Sequence, residues 1–256
     1  MKFDVRLEQA QLSDACEVLR RSYERGWIST RDGNVSLRLT AGSFHISPSG
    51  ARKFALNPED FVLAERDATG QYQLSASRLG AKPSGEMELH QRLHALMPPD
   101  RRAVLHLHPT STVAAMFVGM RLAAVADGFP EVARYTRVGP DVPPLPATSG
   151  VLAEATAAVF SGALPALPDI VGLDRHGVVA IGRDVWDCYE HVERLEHICQ
   201  IVLHAAAAHG VFAQLRAAGL QVATGSASSE GMQLPDAAVH GRRSRSRHRT
   251  SAARQR

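Results

Sequence analysis

The sequence predicts an α/β fold with a mixed central sheet, and three observations carry that expectation. Short strand-like runs at residues 35–39, 44–47 and 61–64 are separated by the turn signals Asp32-Gly33-Asn34, Ala41-Gly42, Pro48-Ser49-Gly50 and Asn57-Pro58. Residues 103–108, an apolar run interrupted by His106 and ended by His108, read as a buried strand. Helical stretches alternate with these strands, which is the pattern of α/β architecture. Because several strands are joined by short turns, the sheet should be mixed rather than purely parallel.

Each element has its own signal. Leu12, Ala15, Cys16, Leu19 and Tyr23 recur at spacings of three and four, which predicts a helix over 8–27 closed by Gly26. Pro83-Ser84-Gly85 opens a helix over 86–97, and Pro98-Pro99 ends it. A helix near 110–118, a Pro- and Gly-rich loop over 128–150 and a helix over 150–160 follow. Residues 170–173 and 178–181 read as a hairpin around 174–177, and a long helix covers 184–209. Beyond about residue 215 periodicity disappears, and residues 216–256 read as a disordered Arg/Ser-rich tail.

Charge and cysteine usage exclude several classes. Seven arginines lie in the last fifteen residues; without them the chain holds 22 basic against 26 acidic groups. A nucleic-acid surface is therefore not expected on the folded part. Cys16, Cys188 and Cys199 match no zinc ribbon or CxxC and read as reduced thiols of a cytoplasmic protein. Charges at Lys2, Asp4, Arg6 and Glu8 are incompatible with a signal peptide, and no run of eighteen apolar residues offers a membrane span.

The chemistry concentrates at His106-Leu107-His108. Residues two apart in a strand share a face, so both imidazoles project together just before Pro109 stops the strand. Such a pair either grips one ion, at about 2.0–2.1 Å per nitrogen, or forms a hydrogen-bonded core pair. His176 lies in the turn Asp174-Arg175-His176-Gly177, as a turn residue or as a third ligand at a strand end. His90 and His94 are i, i+4 but lack the HExxH pattern and fall to the helix surface or to a supporting role. Glu193 and Glu196 read as a solvated face of the last helix. Gly33-Asn34-Val35-Ser36, Ser47-Pro48-Ser49-Gly50 and Lys82-Pro83-Ser84-Gly85 place small residues where backbone N–H groups can face an anion, the last at a helix start. Glu86 either suits the helix dipole or is a carboxylate at the mouth of that anion site.

Taken in order, Gly33-Asn34-Val35-Ser36, Ile46-Ser47-Pro48-Ser49-Gly50, Lys82-Pro83-Ser84-Gly85-Glu86-Met87-Glu88-Leu89-His90, Val104-Leu105-His106-Leu107-His108-Pro109 and His176-Gly177-Val178-Val179 resemble the class II aldolase/adducin family. Its members include L-fuculose-phosphate aldolase, L-ribulose-5-phosphate 4-epimerase and methylthioribulose-1-phosphate dehydratase. The resemblance implies a single three-layer α/β/α catalytic domain over 1–215 and a four-fold symmetric tetramer. It implies Zn2+, or Mn2+ or Co2+, on His106, His108 and His176. It places Glu86 at the catalytic acid/base position, and Asn34, Ser49, Gly50, Ser84 and Gly85 at positions that bind the phosphate of a sugar phosphate. Tyr135 falls near a tyrosine that protonates the leaving aldehyde from a neighbouring subunit. The implied reaction is reversible aldol cleavage of a phosphorylated ketose through a metal-stabilised enediolate. A dehydratase or decarboxylase is the alternative, and a non-catalytic adducin-like domain a more distant one. Two departures bear on the substrate: Gly85 stands where the aldolase has a serine, and Arg175 where it has a histidine.

Overall fold

A seven-stranded sheet, ordered β4-β3-β2-β1-β5-β7-β6, organises the chain. Its strands are β1 (Asn34–Thr40), β2 (Ser43–Ile46), β3 (Val62–Arg66), β4 (Tyr72–Leu74), β5 (Ala103–Leu107), β6 (Ile170–Leu173) and β7 (Gly177–Gly182). The helices are α1 (Val5–Glu24), α2 (Met87–Leu96), α3 (Thr110–Phe117), α4 (Leu122–Asp127), α5 (Pro130–Tyr135), α6 (Gly150–Ser161) and α7 (Val185–Ala217). This computed structural model describes residues 5–75, 80–162 and 166–217. Of the two units into which the chain divides, the first spans Met1–Val211 and contains the whole sheet.

Alternation along the strands sorts the side chains into two cores. Val35, Leu37, Leu105, Leu107, Val178 and Ala180 pack against Leu12, Val18 and Leu19 of α1 and Val192 and Leu195 of α7. Val104, Val171, Val179 and Ile181 point the other way, onto Leu89 and Leu93 of α2 and Leu152 and Phe160 of α6. Helices therefore cover both faces of the central strands, which is the three-layer α/β/α arrangement. β5 is buried along its whole length, as its apolar run required.

The mixed sheet needs a correction. Every ladder in it is antiparallel. Parallel pairing is confined to the isolated bridges Val138–Ile170 and Val142–Leu173 on the outer edge of β6. β5 and β6 both run antiparallel to β7, which lies between them, so the long connection from β5 to β6 joins strands of the same direction that are not neighbours.

Most other boundaries move by a turn or less, the end of α7 moves further, and some elements have no signal in the sequence. α1 ends at Glu24, where Gly26 takes a φ of 70° and the Trp27 amide closes onto the Ser22 carbonyl at 2.9 Å. The expected loop over 128–150 contains α5, started by Pro130 at its first position. β4 has no signal in the sequence, because its residues are largely exposed and lack a buried alternation. α7 runs to Ala217, eight residues beyond the expected helix end at 209 and past the expected domain boundary at 215; the rest of the tail, 218–256, lies outside the described residues. Among the described residues no helix is long and apolar enough to cross a membrane.

Candidate metal centre

Sheet register brings the three histidines together. Asn34 of β1 pairs with His106, and His106 pairs with Val179 of β7. Leu173 pairs with Gly177, so the β6–β7 turn that carries His176 lies beside the C-terminal end of β5. The nearest ring nitrogens of His106, His108 and His176 all lie within 4.8 Å of one another. The His106 and His108 Nε2 atoms are 2.9 Å apart. Two ligands of one ion at about 2.0–2.1 Å lie roughly 3 Å apart, so this spacing suits a shared ion.

The turn geometry leaves no freedom at Gly177. A Cβ there would lie 2.4 Å from the Leu107 carbonyl oxygen and 2.7 Å from His108 Cδ2. Arg175, with a φ of 59°, makes the sharp bend that precedes His176, and the His176 amide donates to the Leu173 carbonyl at 2.9 Å.

Electrostatics prepare the imidazoles for ligation. Burial pushes His106 and His108 down to about 3, so both are neutral near pH 7. His106 Nδ1–H donates to the Val178 carbonyl at 3.0 Å, which leaves the Nε2 lone pair facing the cluster. Glu86 completes the group. It is the residue before α2 and makes no side-chain cap to that helix. Its carboxylate turns inward, with Oε2 3.4 Å from His106 Nε2 and Oε1 3.9 Å from His176 Nε2. Glu86 Oε2 is buried without a hydrogen-bond partner, and His176 Nδ1 likewise. A buried carboxylate oxygen without a partner beside three imidazoles is an incomplete polar set that a divalent cation would satisfy. Glu88, by contrast, pairs with Arg92 at the surface.

The two serine loops lie against each other. Ser49 N donates to the Lys82 carbonyl at 2.9 Å, and Ser84 N to the Ser47 carbonyl at 3.1 Å. Those two amides are therefore committed, contrary to the expectation that they face an anion. Ser84 Oγ also accepts from Glu86 N at 3.3 Å, which ties the loop to the carboxylate. Gly50, at a φ of 69°, makes its turn with open space around it. At Gly85 a Cβ would meet the Thr148 methyl at 3.0 Å, so Thr148 occupies the space that a serine side chain would need. Tyr135 is half exposed at the end of α5, with the guanidinium groups of Arg134 and Arg194 over its ring at 5.5 and 5.6 Å. It is not part of the cluster of His106, His108 and His176; it borders a groove with Phe129, Arg194 and Ile198.

Burial decides four further side chains. Of the two alternatives for His90 and His94, helix surface or a supporting role, the surface is ruled out: both are buried and are joined to Asn34 and Ser36. Lys53 is buried, donates to the Pro48 carbonyl at 3.0 Å behind Ser49, and is pushed down to about 8 by burial. Glu196 is buried rather than solvated and accepts from Ser111 N and Thr112 N. Only the spacing of His90 and His94, which puts both on one side of α2, signals any of these in the sequence.

The model of the "Class II Aldolase and Adducin N-terminal domain" family matches residues 13–203. A methylthioribulose-1-phosphate dehydratase of Acidiphilium cryptum (strain JF-5) is 32% identical over 181 residues, covering 68% of this chain and 81% of that protein. An L-fuculose phosphate aldolase of Methanococcus maripaludis is 25% identical over 190 residues, covering 74% and 94%. The crystal structure of l-fuculose-1-phosphate aldolase from Thermus thermophilus superposes with a TM-score of 0.63 at 26% identity, covering 79% of this chain and 98% of that one. The fold and site define an α/β protein in which three histidines are placed so that they could hold one metal ion. The chain belongs to the class II aldolase and adducin family.

Proposed function

We propose that this protein is a metal-dependent lyase of a phosphorylated ketose, and that it eliminates a β-hydroxyl as water rather than breaking a carbon–carbon bond. The observation that carries the lyase reading is Glu86, a buried, uncapped carboxylate 3.4 Å from the Nε2 of His106. The preference for elimination rests on two supports. Relatives 30–32% identical over more than four fifths of their length are methylthioribulose-1-phosphate dehydratases, against 25% for the aldolase. Gly85 with Thr148 packed on it replaces the serine that the aldolase resemblance implies.

His106, His108 and His176 would hold the ion, zinc in this reading or manganese or cobalt. Bound there, a divalent cation acts as a Lewis acid on a carbonyl, worth several kcal/mol of charge stabilisation. Glu86 takes the proton from the carbon beside that carbonyl and holds it on its carboxylate. The electron pair left behind expels the hydroxyl at the next carbon, and the proton held on Glu86 passes to that oxygen, so that it leaves as water and Glu86 is a carboxylate again. The Asn34 amide, the Ser49 and Ser84 hydroxyls and the Gly50 and Gly85 amides bind the phosphate. Burial around Glu86 excludes bulk water from the proton it carries. Tyr135, exposed on its own chain, serves a neighbouring copy in a tetramer.

Methylthioribulose 1-phosphate, fuculose 1-phosphate and ribulose 5-phosphate incubated separately with zinc-loaded protein test this. A dehydrated diketone phosphate from the first is expected. Dihydroxyacetone phosphate from the second, with no dehydration of the first, returns the reading to aldol cleavage.

A further inference from the structure

Asn34, Ser36 and Arg38 alternate onto the face of β1 that His106 and Val104 share across the ladder, and that face packs under α2. On it runs a line of buried polar groups. His94 Nε2 meets Ser36 Oγ at 2.7 Å, Ser36 Oγ meets His90 Nδ1 at 2.6 Å, and His90 Nε2 meets Asn34 Oδ1. Ser36 and His90 are wholly enclosed, and His94 nearly so, with its ring stacked on Phe44 at 4.5 Å. Arg38 holds the far end by donating to the carbonyls of His94, Met97 and Pro98.

The line has one consistent polarity. A carboxamide oxygen only accepts, so His90 Nε2 carries the proton that Asn34 Oδ1 receives. The neutral ring then offers Nδ1 as an acceptor to the Ser36 hydroxyl. Ser36, having donated, accepts from His94 Nε2–H. His94 Nδ1 is left as a buried lone pair, and it is the one ring nitrogen of the line without a partner. The reversed polarity would bury an orphaned N–H there, and buried orphan donors are rarer and costlier than orphan acceptors.

We propose that His94, Ser36 and His90 are positioning residues that fix the Asn34 amide with its oxygen inward and its N–H groups outward, making that corner of the site selective for an anionic oxygen. The proposal rests on the phosphorylated substrate of the preceding reading for the identity of the ligand, but not for the orientation of the amide. Without the relay the Asn34 amide is free to turn, and its oxygen repels the same anion.

Two measurements on the full zinc-loaded chain test it. Nitrogen-15 NMR of the histidines is expected to show His90 in the Nε2–H form in the wild type and to lose that fixed tautomer in Ser36→Ala. Titration with inorganic phosphate is expected to show about tenfold weaker binding for Ser36→Ala, the loss of one hydrogen bond to a charged group, with zinc content unchanged. Ser36→Thr, which keeps the hydroxyl, should restore both signals. An Nδ1–H tautomer of His90 in the wild type, or phosphate binding unaltered in Ser36→Ala, overturns the relay. A wild type with the expected tautomer that binds no phosphate overturns the anion selectivity together with the phosphorylated substrate.

Discussion

The Nδ1–H of His106 is tied to the backbone carbonyl of Val178 at 3.0 Å, across the β5–β7 ladder. The same contact turns Nε2 toward Glu86 and His108, so the strand pairing itself sets the tautomer that a metal needs.

Separating ligation from proton transfer follows from that arrangement. Removing His176, as His176→Ala, should lower the metal content as isolated and abolish turnover. Glu86→Gln keeps a polar side chain of the same size, so metal content should hold while turnover falls by about 10²–10⁴-fold. Elemental analysis beside a turnover assay reads both, and full activity in Glu86→Gln would remove its role as base.

Gly177 is a steric requirement of the same site. In Gly177→Ala the new methyl meets the Leu107 carbonyl oxygen and the His108 ring, both under 3.0 Å. The turn must shift away from β5, with an expected loss of about 1–3 kcal/mol of stability. Metal affinity should fall by about 10–100-fold as His176 and His108 lose register. Denaturant midpoints and a competitive chelator titration measure the two effects, and an unchanged midpoint would contradict the contact.

Glu196 holds the start of α3, the helix that follows the metal-binding strand. From α7 its carboxylate accepts from Ser111 N at 2.9 Å, Thr112 N at 2.7 Å and Thr112 Oγ1 at 2.8 Å. Glu196→Ala leaves these donors without a partner in a buried place and should cost about 2–3 kcal/mol. Thermal unfolding of the metal-free protein, where ligand binding does not mask the change, is the measurement; a surface residue would show almost none.

Acid should destabilise the metal-free protein well before carboxylates titrate. Burial holds His90, His106 and His108 at about 3 in the folded chain, against 6.5 for an ordinary histidine. Between those values the unfolded chain binds more protons, so the stability is complete above pH 6.5 and is lost as pH falls toward 3. The slope is about 1.4 kcal/mol per pH unit for each histidine well inside that window. Urea midpoints at pH 7 and pH 5 check it: a midpoint that stays level across the two would show that these rings are not neutral and buried.

Much of this site was legible because strand alternation is a local property. His106 and His108 had to share a face, and Pro109 had to end the strand beside them. His176 was not readable in that way; its neighbours in sequence describe only a turn, and the ladder register of β6, β7 and β5 puts it next to the pair. The serine loops are legible as turns, but the pairing that consumes the Ser49 and Ser84 amides is long-range.

By itself the sequence determined the alternation of helices and strands, the buried β5 and the ordered motifs that the family shares, since these depend on periodicity and turn chemistry along the chain. Tertiary structure decided the antiparallel order of the sheet, the inward turn of Glu86, the capping by Glu196 and the polar line from His94 to Asn34. Each of those joins groups tens of residues apart, and whether a polar side chain is solvated or enclosed depends on what packs over it. No single stretch of chain encodes that.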